Sequence, residues 1–159
     1  MVGEVSSGEH ATGGIDGSEK PLAPAQRGLW LMQELNPTSN AYNTLSAFRV
    51  MGDIDVERLV MALRGLVRRN QSLRTSFPIG ASGAPVLGLH PADDVEVLVH
   101  DVRAASNPEK SARDLIDEIQ LEPYDLKAGP PVRLAIVHVK PDAAIVLIGA
   151  HHIVTDAKS

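Results

Sequence analysis

Residues Ala143 to Ala150 form an eight-residue run with no charge and almost no polarity, and two histidines follow at once. An apolar run of that length, rich in Ile, Val and Leu, suits a strand covered on both faces. It is far short of the ~20 residues needed to cross a bilayer. Upstream, Val132 to Val139 alternates. Val132, Leu134, Ile136 and His138 share one face, and Arg133, Ala135, Val137 and Val139 share the other. Pro141-Asp142 joins the two runs as a hairpin-type connection. The chain is therefore expected to build a sheet with residues 143–150 near its centre.

The remaining segments supply what covers that sheet. Pro24 to Leu35 reads as a short helix: proline fits its first turn, Leu29, Met32 and Gln33 follow at helical spacing, and Asn36-Pro37 ends it. Leu45 to Met51 reads as a strand with imperfect alternation. Asp55 is an N-cap, and Leu59, Ala62, Leu63, Leu66 and Val67 then mark one face of a helix. Leu73 to Phe77, Val86 to Leu89 and Val95 to Val99 read as short strands. Asn107-Pro108 starts another helix, with Ala112, Leu115, Ile116 and Ile119 as its apolar stripe. The class expected is α+β: a two-layer sandwich, mostly antiparallel sheet packed with helices.

Residues 1–20 differ in kind. They hold five glycines, three serines and four acids against one lysine, and they are expected to be a disordered tail. The other residues, 21–159, are enough for one domain. The formal charge is −5, which does not suit a nucleic-acid or anionic-membrane surface. There is no cysteine, so disulfides, thiolate metal sites and a cysteine nucleophile are excluded. No signal peptide is visible, and the expected location is cytoplasmic.

Polarity at the end of a buried strand draws attention to His151-His152-Ile153-Val154-Thr155-Asp156. Neighbouring strand residues point to opposite faces, so the two histidines should not share a task. Three readings stand: a structural pair, a metal site, or an acid–base group beside a cleft. Metal binding is disfavoured by the opposed side chains and the lack of His-Glu-x-x-His spacing. An imidazole with an ordinary pKa can take and give a proton near neutrality.

Three stretches, in order, resemble the motifs of the condensation domains of nonribosomal peptide synthetases. These are Ala25-Gln26-Arg27-Gly28-Leu29-Trp30, Arg69-Asn70-Gln71-Ser72-Leu73-Arg74-Thr75-Ser76-Phe77, and His151-His152-Ile153-Val154-Thr155-Asp156-Ala157-Lys158-Ser159. The second resembles Arg-His-Glu-x-Leu-Arg-Thr-x-Phe, and the third resembles the active-site motif His-His-x-x-x-Asp-Gly-x-Ser. The resemblance implies one lobe of a chloramphenicol-acetyltransferase-like fold. It implies that His152 is the catalytic residue, as general base or as a group positioning the amine. It also implies that His151 and Asp156 support the site, with Asp156 paired to Arg69 or, as second choice, Arg74. No metal is needed.

The reaction so implied joins an acyl thioester on a donor carrier protein to the amine of an aminoacyl group on an acceptor carrier protein. The phosphopantetheine arms come with the carriers, and no cofactor is bound directly. Two departures stand out. Ala157 occupies a position where the family has glycine and where backbone or substrate approach is close. Asn70-Gln71 replace His-Glu. The family's domains have two lobes, so residues 21–159 are expected to be the N-terminal, catalytic-histidine lobe without its C-terminal partner. Such a lobe is expected to be inactive alone and prone to self-association. A non-catalytic carrier-docking module and a related stand-alone acyltransferase are the alternatives.

Overall fold

The computed structural model describes residues 19–155. The expected tail up to residue 18, together with Asp156, Ala157, Lys158 and Ser159, lies outside the described residues. Glu19 and Lys20, placed by composition in the tail, are fastened to the body. Glu19 Oε1 accepts from the Ala81 N–H at 2.8 Å, and the Lys20 carbonyl accepts from Leu87 N–H at 2.9 Å.

The element order is α1 (Pro24–Leu35), β1 (Asn43–Met51), α2 (Val56–Arg69), β2 (Thr75–Ser76), β3 (Gly88–Leu89), β4 (Val97–Asp101), α3 (Pro108–Leu121), β5 (Val132–Lys140), β6 (Ala143–His151) and α4 (His152–Thr155). Two helices start where side-chain oxygens cap them. Asp55 accepts from the Arg58 N–H at 3.0 Å, and Asn107 accepts from the Lys110 N–H at 3.1 Å.

The main sheet runs β1-β6-β5-β4. Both pairings of β6 are antiparallel, and β4 pairs parallel with β5, with α3 as the crossover between them. The apolar run therefore lies inside the sheet, as its composition requires. Its alternate side chains enter two cores. Ala144 and Val146 meet Leu134, Ile136, Val97 and the α2 residues Leu63 and Val67. Ile145 and Leu147 meet Ala135, Val137, Val139 and Ala112 of α3. Helices thus cover both faces of the sheet, which adds a second helical layer to the expected sandwich. Burying Leu63 and Val67 contributes about 1.5–3 kcal/mol each.

The short strands differ from their sequence expectation. Residues 71–74 form a 3₁₀ turn, leaving only Thr75 and Ser76 extended. The Asn70 amide donates to the Leu66 carbonyl, and the Thr75 hydroxyl donates to the Gln71 carbonyl, both at 2.8 Å. Such local side-chain bonds compete with strand pairing. The strand expected at 95–99 begins at Val97 because Val95 N–H turns back to the Ala92 carbonyl. In α1, Met32 is half exposed, whereas Gln33 is buried and donates its amide hydrogens to the Pro37 and Ser39 carbonyls.

Candidate active site

A strand that ends in two histidines must hand the backbone over to something, and here it becomes the single turn α4. His151 is the last residue of β6, and His152 is the first of α4. The two imidazoles separate as alternation predicts, but the change of backbone makes their environments opposite in kind.

His151 is fully buried. Its Nδ1 accepts the backbone N–H of Ile153 at 3.1 Å. Its Nε2 is buried with no hydrogen-bond partner among the described residues. The Tyr42 and Tyr124 rings lie beside it, with centroids 5.9 and 6.3 Å away. Burial disfavours the imidazolium and lowers the pKa from 6.5 to about 4, with the neighbouring His152 adding to the effect. Protonation would also turn Nδ1 into a donor facing a donor. His151 is therefore a neutral core residue.

His152 is exposed. Its backbone N–H donates to the Tyr42 carbonyl at 2.8 Å, which ties the start of α4 to the segment entering β1. Its Nδ1 lies 3.2 Å from Thr155 Oγ1, and the same hydroxyl donates to the His152 carbonyl at 3.3 Å. The side chain is held at Nδ1, and Nε2 has no hydrogen-bond partner among the described residues.

The first two sequence motifs converge on this turn. Gln26 of α1 donates its amide to the Ile153 carbonyl at 3.3 Å, while its Oε1 accepts from Ala23 N–H at 3.1 Å. One side chain thus fixes the start of α1 and braces α4. The Trp30 indole N–H donates to the Phe77 carbonyl at 2.9 Å, joining the first motif to the second. Phe77, Ile153 and Val154 are buried in one cluster with Leu22, Leu126 and Ala150. Leu29, Trp30, Phe77, Ile153 and Val154, drawn from all three motifs, thus share one packed neighbourhood.

The two candidate arginines differ sharply. Arg69 is exposed at the end of α2. Arg74 is half-buried in the 3₁₀ turn that packs on α4. It donates from one guanidinium nitrogen to the His90 carbonyl at 2.9 Å, but its Nε is buried with no partner among the described residues. Asp156 and Ala157, named from the sequence, lie outside the described residues.

Three contributors had no sequence signal. Tyr42 supplies a carbonyl to His152 and a ring to His151. Tyr124 packs edge-on against His151, and burial raises its hydroxyl pKa to about 12. The Arg133 guanidinium lies 3.9 Å from the Tyr124 ring centroid while donating to the Glu122 and Pro123 carbonyls at 2.6 and 2.7 Å. Gly149 makes this fit possible: a Cβ there would come within 3.2 Å of both the Tyr124 hydroxyl and Leu45 Cδ1. None of these residues carries a motif. Register reveals only the pairing of Arg133 with Gly149, and the two tyrosines come from loops that the fold brings against His151.

Among the described residues no group of three or more His, Asp or Glu could hold a metal ion, and no helix is long and apolar enough to cross a membrane.

Several known proteins are similar to this chain. Chondramide synthase cmdD of Chondromyces crocatus is 33% identical over 141 residues, 87% of this chain and 4% of that protein. Tyrocidine synthase 3 of Brevibacillus parabrevis is 31% identical over 139 residues, 87% of this chain and 2% of that protein. The starter condensation domain of rhizomide synthetase RzmA superposes with a TM-score of 0.78 at 27% identity, covering 86% of this chain and 33% of that one. The first condensation domain of the calcium-dependent antibiotic synthetase gives 0.74 at 26% identity, covering 85% of this chain and 33% of that one. The chain thus spans a few per cent of these synthetases and a third of each solved chain. The profile of the Condensation domain matches residues 17–159. The chain belongs to the condensation-domain family.

Proposed function

We propose that this chain carries the catalytic-histidine wall of a condensation site in nonribosomal peptide synthesis. The observation that carries the reading is the contrast between the two histidines. His151 is buried, neutral and committed to a backbone N–H, whereas His152 projects an exposed ring whose Nε2 is unengaged among the described residues. An amine held near His152 attacks the carbonyl carbon of a carrier-bound acyl thioester. The C–N bond forms, the C–S bond breaks, and the proton leaving the amine passes through Nε2 to the departing thiolate. The thioester is already activated, so the step asks for no nucleophilic residue. Donor and acceptor groups arrive on the phosphopantetheine arms of carrier proteins.

The exposure of His152 supports a site with a second wall, since positioning and exclusion of water supply much of such a rate. The reading assigns that wall to residues outside this stretch, which covers a third of the solved condensation-domain chains. The stretch alone is then expected to condense nothing. We also assign Asp156 to Arg74 in preference to Arg69. The support is the unpartnered Nε of Arg74 and the packing of its turn on α4.

The test is carrier-to-carrier transfer in a two-lobe protein bearing this stretch. His152→Ala should leave the fold intact and lower turnover by about 10²–10⁴-fold, the usual contribution of an acid–base group. A folded His152→Ala protein that still condenses at the parent rate would overturn the assignment.

A further inference from the structure

We propose that the α4 turn holds the two adjacent histidines in opposite tautomers, with Thr155 as the positioning residue that keeps Nε2 of His152 free of its proton. The inference rests on the reading of His152 as the proton acceptor and adds what sets its hydrogen.

The argument is one of counting hydrogens. The Thr155 hydroxyl has a single hydrogen and two lone pairs. It lies 3.2 Å from Nδ1 of His152 and 3.3 Å from the His152 carbonyl oxygen. The carbonyl can only accept. Both contacts are satisfied together only when the hydroxyl hydrogen goes to the carbonyl and Nδ1 donates its own hydrogen to Oγ1. In a neutral ring Nε2 then carries a lone pair. One residue earlier the opposite holds. The Ile153 N–H points at Nδ1 of His151, so that nitrogen must be the acceptor and Nε2 carries the hydrogen. The bond made at one ring nitrogen decides the state of the other.

Chemically the difference matters. Neutral imidazole in water favours a hydrogen on Nε2, the form that presents a donor to an incoming amine. Thr155 reverses that preference at His152, so the ring presents a base without first shedding a proton. The backbone N–H to Tyr42 and the Gln26 brace on Ile153 keep the turn in place while it does so.

The experiment is long-range ¹H–¹⁵N NMR on the uniformly ¹⁵N-labelled chain at pH 8, where two-bond couplings show which ring nitrogen carries hydrogen. His152 should be protonated at Nδ1 and His151 at Nε2. Thr155→Val keeps the side-chain shape and removes the hydroxyl, and should move His152 to the Nε2–H form. Thr155→Ser should restore the parent signature. In a condensing two-lobe protein, Thr155→Val should lower kcat several-fold at unchanged KM, and Thr155→Ser should recover it. A parent His152 protonated at Nε2 would overturn the inference, even if Thr155→Val failed to fold. So would a Thr155→Val signature identical to the parent's. If His152→Ala condenses normally while the signature is as expected, the functional reading falls and the tautomer assignment stands. If His152→Ala is inactive while parent Nε2 is protonated, only the tautomer assignment falls.

Discussion

Acidification should destabilise this chain through one buried ring. His151 has a folded pKa of about 4 against 6.5 in the unfolded state. Between these values the unfolded chain binds a proton that the folded chain refuses, so stability is complete above the unfolded pKa and falls as pH drops towards 4. Linkage over that gap gives a loss of about 2 kcal/mol between pH 7 and pH 5, approaching about 3 kcal/mol near pH 4. For a domain of this size the pH 5 loss is a large fraction of the total. The assay is urea denaturation at half-unit steps from pH 7.5 to 4.5, run beside His151→Asn. Asparagine can still accept the Ile153 N–H through Oδ1, but it does not titrate. The variant should be less stable at pH 7, because packing against Tyr42 and Tyr124 is reduced, and its profile from pH 7 to pH 5 should be shallower by about 2 kcal/mol. Parallel profiles for the two proteins would refute the argument, because the slope would then belong to other groups.

Two further outcomes concern packing and charge. Gly149→Ala should cost about 1–3 kcal/mol by overpacking against the Tyr124 hydroxyl and Leu45. Adding Tyr124→Phe should recover part of that in a urea titration, and no recovery would mean that the hydroxyl is not what the methyl meets. Double-mutant cycles of Asp156→Asn with Arg74→Ala and with Arg69→Ala should give a coupling of about 0.5–3 kcal/mol for Arg74 and near zero for Arg69. The reverse pattern would return the pair to the helix end.

Much of this was legible in residue order because burial and period are local signals. The run at 143–150 suited a doubly covered strand, and Asp55 and Asn107 marked helix starts that their side chains confirm. The short strands were legible in place but not in extent. Asn70 and Thr75 make hydrogen bonds within four residues, and these outcompete a ladder of two pairs. On the α1 stripe Gln33 is buried while Met32 is half exposed, because carbonyls from the loop beyond the helix gather round the Gln33 amide. At the site, the separation of His151 from His152 was readable, but its cause was not. Alternation predicts opposite faces of one strand, whereas the structure ends the strand between them. Tyr42, Tyr124 and Arg133 could not be found by motif, since the two tyrosines reach His151 from loops and Arg133 acts by stacking on Tyr124.

The position of β6 has a consequence for how the molecule is made. It lies in the centre of the sheet yet follows β1, β4 and β5 in the chain, and its partners in β1 lie roughly a hundred residues earlier. Until residues 143–151 leave the ribosome, β1 has no strand to pair with and β5 lacks one of its two neighbours. Assembly must wait for that strand and must close a long loop to admit it, which slows the search for the native pairing. The turn that bears His152 is the next thing synthesised. Completion of the sheet and placement of the exposed His152 imidazole are thus one event, and a nascent chain stalled before it would expose a half-built core with unpaired strand edges for chaperones to shield.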